Sequence, residues 1–147
     1  MMEESTEFAW DDRYLLGHAE MDDTHREFVD LVSALQKADD AGLGAALAAL
    51  AAHCEAHFAQ ENEWMERNDF PPRDCHIDEH NKVLASVYEV RQHLANGDVA
   101  IVRELAAALI DWFPAHADYL DSALATWLVK RAHAGAPLVL RRNVVKS

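Results

Sequence analysis

Helical spacing in this chain carries histidines and carboxylates onto faces that are otherwise apolar, and that conflict limits what the chain can fold into. The stripe Met21, His25, Phe28, Val32 and Leu35 advances by alternating steps of four and three, as one face of an α-helix does. Leu43, Leu47, Leu50, Cys54, His57, Glu61 and Trp64 form a second stripe. His76, His80, Val83, Val87, Val90 and Leu94 form a third. A fourth holds Val102, Leu105, Leu109, Trp112 and His116, with Asp121 within reach and a further helical stretch through Leu120, Leu124, Trp127 and Leu128. A carboxylate buried without a partner either costs several kcal/mol or takes up a proton. One such group is tolerable through hydrogen bonds. Seven of them (His25, His57, Glu61, His76, His80, His116 and Asp121), spread over four helices, need a shared compensation. Metal coordination supplies it, because neutral imidazoles and carboxylates are good donors to first-row divalent metals.

Start and stop signals divide the stripes into rods. Asp22 or Asp23 is suited to cap a first helix running to about Asp40, where Ala41-Gly42 breaks the chain. The second helix runs from about Leu43 to Asn68, and Asp69-Phe70-Pro71-Pro72 ends it because a proline pair cannot continue a helix. Asp74 is the expected cap of a third helix reaching about Ala95, and Asn96-Gly97-Asp98 is a turn before a fourth that begins near Val99. Pro114 lies inside the fourth pattern and should kink or loosen it. Helices of about 20 residues are about 30 Å long. Four of them joined by short turns predict an all-α, up-down-up-down four-helix bundle. The expected organisation is an N-terminal arm packed on the bundle over residues 1–20, the bundle over 21–132, and a short C-terminal tail over 133–147.

The 147 residues, 50% hydrophobic and 27% charged, suit one globular domain. Twenty-six acidic residues against 13 basic ones argue against a nucleic-acid partner, which needs a basic face. No apolar run reaches transmembrane length, so no membrane is expected. Two cysteines cannot build a disulfide scaffold, and the acidic start lacks a secretory apolar region, so a cytoplasmic location is expected. Residues 130–147 hold five basic residues and no acidic one. They suit a tail lying on the domain's own acidic surface, or a docking segment for an acidic protein partner.

The spacing of the polar set is itself informative. His57 and Glu61 are four apart and so lie one turn apart on one face, and His76 and His80 repeat the arrangement. His116 and Asp121 are five apart, which is awkward in a regular helix; Pro114 and a local irregularity could realign them. Five nitrogens and two carboxylates exceed one ordinary metal site and suit two metals sharing bridging carboxylates. Cys54 and Cys75 with His57 and His76 have the composition of a zinc site, but the adjacent Cys75 and His76 would diverge by about 100° on a helix. His18, His93 and His133 read as surface or local structural residues.

Several segments carry a resemblance. They are Met21-Asp22-Asp23-Thr24-His25; His57-Phe58-Ala59-Gln60-Glu61 with Met65 beyond; Phe70-Pro71 before His76-Ile77-Asp78-Glu79-His80; and Trp112 before His116-Ala117-Asp118-Tyr119-Leu120-Asp121. Over roughly residues 10–128 the chain resembles the hemerythrins, in particular their bacterial single-domain members. The resemblance implies two non-haem iron ions: one held by His76, His80 and His116, the other by His25 and His57 with an open position. Glu61, Asp121 and an oxo or hydroxo group would bridge them, and dioxygen would bind at the open iron. Iron rather than manganese rests on the resemblance.

Phe113, Trp112, Phe58 and His53 would then line the oxygen pocket or stand behind the ligands. The chain departs from the family where His53 takes a position often held by Tyr, Asn62 that of a second Glu, and Phe113 that of a Leu; Pro114 is also atypical. The nitrogen-rich donor set favours dioxygen binding over O–O cleavage. The resulting expectation is reversible dioxygen binding for storage, delivery or buffering, and not primarily an enzyme. The alternatives are a sensor of oxygen, nitric oxide or redox state acting through a partner chain, and a di-iron peroxidase or nitric-oxide-detoxifying enzyme.

Overall fold

The computed structural model describes residues 8–132. The expected tail over 133–147 lies outside the described residues, and with it three of the five basic residues; Lys130 and Arg131 are exposed near the end of the last described helix, Arg131 over the Trp127 ring. Helix α1 spans Ala19–Lys37, α2 Leu43–Arg67, α3 Arg73–Ala95 and α4 Val99–His116; a π-helical turn over Ala117–Asp121 leads into α5, Ser122–Ala132. Each of the first four helices packs on its neighbours in sequence, and α1 packs on α4, so the ring closes as an up-down-up-down four-helix bundle. Among the described residues there is no strand, and no helix is long and apolar enough to cross a membrane.

Helix ends follow local chemistry, with three corrections to the sequence reading. Neither Asp22 nor Asp23 caps α1. His18 does so, its Nδ1 accepting from the Met21 N–H at 3.2 Å, while its ring packs edge-on against Trp64. The imidazole fills the role that the sequence reading gave to a carboxylate, because its lone pair can serve the same orphan donor. Helix α1 also ends at Lys37 instead of about Asp40, since Asp39 accepts from the Gly42 N–H and forms a 3₁₀ turn of its own over Asp40–Gly42.

Helix α3 begins at Arg73 with Pro72 before it and no side-chain cap, so Asp74 lies inside the first turn. Asp98 caps α4, accepting from Ile101 N–H at 3.2 Å. The C-terminal ends of α2 and α3 are both Schellman motifs. After α3 the Asp98 N–H reaches the His93 carbonyl (3.0 Å) and the Gly97 N–H that of Leu94 (2.9 Å), with Gly97 at φ +92°. After α2 the same role falls to Asp69, a non-glycine residue at φ +52°. Its neighbour Phe70 closes the motif onto Met65 O at 2.9 Å and is itself buried.

The core has two apolar compartments with a polar belt between them. The larger holds Phe28, Val32, Leu47, Leu50, Val87, Leu109 and Phe113 among others. The smaller holds Met21, Met65, Phe70, Leu124, Ala125 and Leu128. Helices α1 and α2 contribute buried residues to both, α4 lies in the larger compartment and α5 in the smaller, and α3 adds only the partly buried Ile77 to the smaller. Along α1 the order is Met21, His25, Phe28, and along α2 it is Phe58, Glu61, Met65, so the polar residues of all four rods meet at one level.

Of the expected N-terminal arm, residues 1–7 lie outside the described residues; residues 8–18, irregular apart from a 3₁₀ turn at Asp12–Tyr14, pack over the larger compartment. Phe8 and Tyr14 set their rings edge-on to Phe113 at 6.2 and 5.2 Å. The arm is fastened by the buried Asp22 carboxylate, which accepts from Leu16 N–H (2.8 Å) and Gly17 N–H (3.2 Å).

Replacing Asp22 strands two backbone donors that the carboxylate now serves. A bond to a charged group is worth about 1.5–3 kcal/mol. Asp22→Ala should therefore lower unfolding free energy by about 2–3 kcal/mol, read by urea denaturation, and Asp22→Asn by less.

Candidate metal centre

Residues five apart do not share a face of an α-helix, yet His116 and Asp121 do so here. Pro114 has no N–H to donate within α4, and the rod widens just beyond it into the π-helical turn Ala117–Asp121. An i→i+5 turn inserts one residue and brings the fifth residue back under the first. His116 Nε2 consequently lies 3.1 Å from Asp121 Oδ1.

All seven polar residues expected to face inward are buried and meet in the belt. Each carboxylate divides its two oxygens between two groups of histidines. Glu61 Oε1 faces His80 Nε2 (3.1 Å) and His76 Nε2 (3.5 Å), while its Oε2 faces His57 Nε2 (2.7 Å) and His25 Nε2 (3.5 Å). Asp121 Oδ1 faces His76 Nε2 (2.9 Å) and His116 Nε2 (3.1 Å), while its Oδ2 faces His25 Nε2 (3.0 Å). The nitrogens therefore fall into a trio, His76, His80 and His116, and a pair, His25 and His57. Ligand atoms of Glu61, His76, His80, His116 and Asp121 all lie within 4.8 Å of one another, as do those of His25, His57 and Glu61.

These short approaches are only partly hydrogen bonds. His25 Nε2, His80 Nε2, His116 Nε2 and Glu61 Oε1 are buried and have no hydrogen-bond partner. Buried polar atoms without partners are costly. A bound cation accounts for them, since it needs lone pairs converging from several sides rather than donor–acceptor alignment. The residues fit two first-row metal ions.

Protons do part of that work when no metal is bound. Burial works against the His25 imidazolium, but the close approach of the Asp121 and Glu61 carboxylates outweighs it and holds its pKa up at about 10. His76 is raised to about 9 in the same way. Burial opposes the charged form of His116 too, yet its pKa is raised by Asp121 and Glu79, whereas burial prevails at His80 and lowers it. Burial would raise Glu61, but His57 and the neighbouring imidazoles hold it well below the usual carboxylate range. Asp121 is likewise lowered, against its burial and the charge of Glu61, by the imidazoles of His116, His25 and His76 that crowd its two oxygens.

Behind the donors stand residues of two kinds. Phe58 stacks on His80 (4.1 Å, 9° between planes) and Trp112 stacks on His116 (4.2 Å, 26°). Phe113 instead meets His25 edge-on at 5.3 Å. Two polar contacts were not legible as site features. Asn62 Oδ1 lies 2.9 Å from His80 Nδ1, and Glu79 Oε1 lies 2.6 Å from His116 Nδ1. Asn62 was noticed only as a family departure. Glu79 carried no signal beyond its place between His76 and His80, because its partner is 37 residues away.

His53 stands outside the donor cluster. Its ring is 5.5 Å from that of His57, its Nδ1 is 3.7 Å from Glu27, and burial and His57 lower its pKa to about 4. Cys54 is buried and Cys75 exposed, and neither enters a cluster of potential ligands.

Fold and site together define a helical-bundle metalloprotein with a shared, histidine-rich, two-carboxylate centre. The family model described as Hemerythrin HHE cation binding domain matches residues 16–128. The chain is also 45% identical over 122 residues to a bacteriohemerythrin from Ralstonia nicotianae (strain ATCC BAA-1114 / GMI1000), covering 83% of this chain and 89% of that protein. The chain belongs to the hemerythrin family and is a non-haem iron, oxygen-binding protein; membership implies a di-iron centre, which the buried His/Glu/Asp cluster fits.

The metal-free protein should be sensitive to alkali. His25 and His76 have raised pKa values, so their contribution to stability is complete below the ordinary value of 6.5 and is lost as pH rises through about 9 and 10. Urea midpoints of the metal-free protein should fall over that range. Those of the iron-loaded protein, in which metal has replaced the protons, should fall less.

Proposed function

We propose that this protein binds dioxygen reversibly at a di-iron centre whose two metal positions differ in their ligands. In this reading His76, His80 and His116 hold one iron, His25 and His57 hold the other, and Glu61 and Asp121 bridge them. The observation that carries it is the division of both carboxylates' oxygens between the histidine trio and the histidine pair. A carboxylate serving one metal would have no reason to turn its second oxygen toward a different set of imidazoles.

A di-iron pair, when bound, supplies reversible two-electron exchange with dioxygen. The chain's own residues set the terms of that exchange. Five neutral imidazoles against two carboxylates give a donor set of low anionic charge, which disfavours high oxidation states and so favours binding over O–O cleavage. The pair carries two protein nitrogens where the trio carries three, and it is the half that leaves room for an external ligand. Phe113, packed between His25, Phe28 and Tyr14, forms an apolar wall beside that half and keeps water from it. Phe58 and Trp112 press on His80 and His116 and limit rotation of those rings.

Stopped-flow spectroscopy of the anaerobic di-ferrous protein tests the reading. Mixing with oxygen should give an absorption band that persists for many seconds and bleaches under argon. Immediate passage to the di-ferric form with turnover of peroxide or nitric oxide would replace the carrier with an enzyme. A stable band whose formation alters binding to a partner chain would indicate a sensor. His76→Ala and Asp121→Ala should each lower iron to well below two per chain by elemental analysis; retention of two irons would remove that residue from the ligand set. Phe113→Leu keeps the site apolar but opens it, and should shorten the lifetime of the oxygenated form several-fold.

A further inference from the structure

The contacts behind the ligands are distributed unevenly. In the trio, His80 and His116 each have an outer partner on Nδ1, Asn62 and Glu79 respectively. The Nδ1 atoms of His76 in the trio and of His25 and His57 in the pair are buried and have none. Of the two outer partners, only Glu79 brings a charge. Its Oε1 accepts from His116 Nδ1 at 2.6 Å and from the Trp112 indole N–H at 3.3 Å, and the indole lies flat against the His116 ring. The Glu79 side chain is 39% exposed, at the edge of a groove between α3 and α4 that Lys82, Val83, Leu105, Leu109 and Trp112 also line. The His116 side chain beneath it is 2% exposed.

We infer that Glu79 is a positioning residue for His116, and that it links the buried centre electrostatically to the surface. This inference rests on the ligand role proposed for His116. A carboxylate on Nδ1 fixes the tautomer in which that nitrogen carries hydrogen and Nε2 carries the lone pair. Nε2 is the atom that faces Asp121 Oδ1 and the centre of the belt. Trp112 fixes the plane of the same ring, and by donating to the same oxygen it holds the carboxylate in place. The negative charge also makes Nε2 a stronger donor, which favours the more highly charged ferric state. Asn62 can orient His80 in a similar way but adds no charge, so the electrostatic effect belongs to the His116 side.

Three measurements test this. In metal-free protein labelled with ¹⁵N-histidine, His116 Nδ1 should bear a hydrogen-bonded proton resonating well downfield; that signal should be lost in Glu79→Ala and move upfield in Glu79→Gln. Anaerobic titration with ferrous iron should show affinity at one of the two positions reduced about tenfold to a hundredfold in Glu79→Ala, with a smaller loss in Glu79→Gln. The midpoint potential should rise in Glu79→Gln, which keeps the shape and removes the charge. An unprotonated Nδ1 in the wild type, or unchanged iron affinity in Glu79→Ala, would overturn the positioning role. An unchanged potential in a folded Glu79→Gln that retains two irons would overturn the electrostatic one. Should wild-type protein hold fewer than two irons, the ligand reading itself fails, while the metal-free spectrum still reports on the Glu79–His116 bond.

Discussion

Two carboxylates shared among five imidazoles are the interaction on which the rest of the structure depends. Glu61 and Asp121 lie at the level where all four rods would otherwise contribute apolar side chains. They divide the core into two hydrocarbon compartments that could not merge without burying unpaired charge. Hydrophobic burial gathers the helices, but it does not fix their axial register, because sliding one apolar stripe by a turn still covers it. The belt does fix register. A one-turn slip of any helix, about 5.4 Å, would take its histidine beyond reach of both carboxylates and leave charged oxygens with fewer partners. Specificity in this bundle therefore comes from its most costly layer, and ligand binding at that layer adds directly to the stability of the folded state.

The same layer explains the one irregular element of the helical scaffold. A straight α-helix from Val99 to Ala132 would deliver His116 and a residue four later to the belt, and that residue is Leu120, which is only partly buried. The π-helical turn trades some hydrogen-bond quality for one extra residue and brings Asp121 inward in its place. Pro114 lowers the cost of the trade by having already removed one α-helical hydrogen bond. The departure from regularity is thus confined to the few residues that the centre requires, and α5 resumes with Leu124 and Leu128 closing the smaller compartment.

The sequence made the stripes, the rods and the seven inward polar residues legible, because those depend on spacing along one helix. It also exposed the five-residue step from His116 to Asp121 as a conflict that only a local irregularity could resolve. Contacts between helices were not legible. Glu79 reads as a solvent-facing acid on α3, and nothing near it in the chain indicates His116 on α4. The start of α1 was misplaced for a related reason. Asp22 has the chemistry of a cap, but the arm folds back and takes its carboxylate for Leu16 and Gly17, and the cap falls to His18. Where a polar group can serve two sets of donors, composition does not say which set wins; the path of the neighbouring segment decides.

Bracing is concentrated on two of the five imidazoles, both in the trio. His80 and His116 are held on both ring faces and edges, by stacking with Phe58 and Trp112 and by Asn62 and Glu79 behind. Away from the two carboxylates, His25 and His57 meet aromatic rings, chiefly Phe113, Phe58 and one another, with no polar group fixing Nδ1. Restoring forces from hydrogen bonds are directional, and those from apolar contact are not. Two of the trio's three imidazoles are therefore stiff toward rotation, while His76, whose Nδ1 also lacks a partner, and the pair are more compliant. The reversible binding proposed above calls for both properties, imidazoles that hold geometry and imidazoles that adjust. The bundle provides them by placing its polar supports on α2 and α3, behind the trio, and its apolar wall on α1, α4 and the arm.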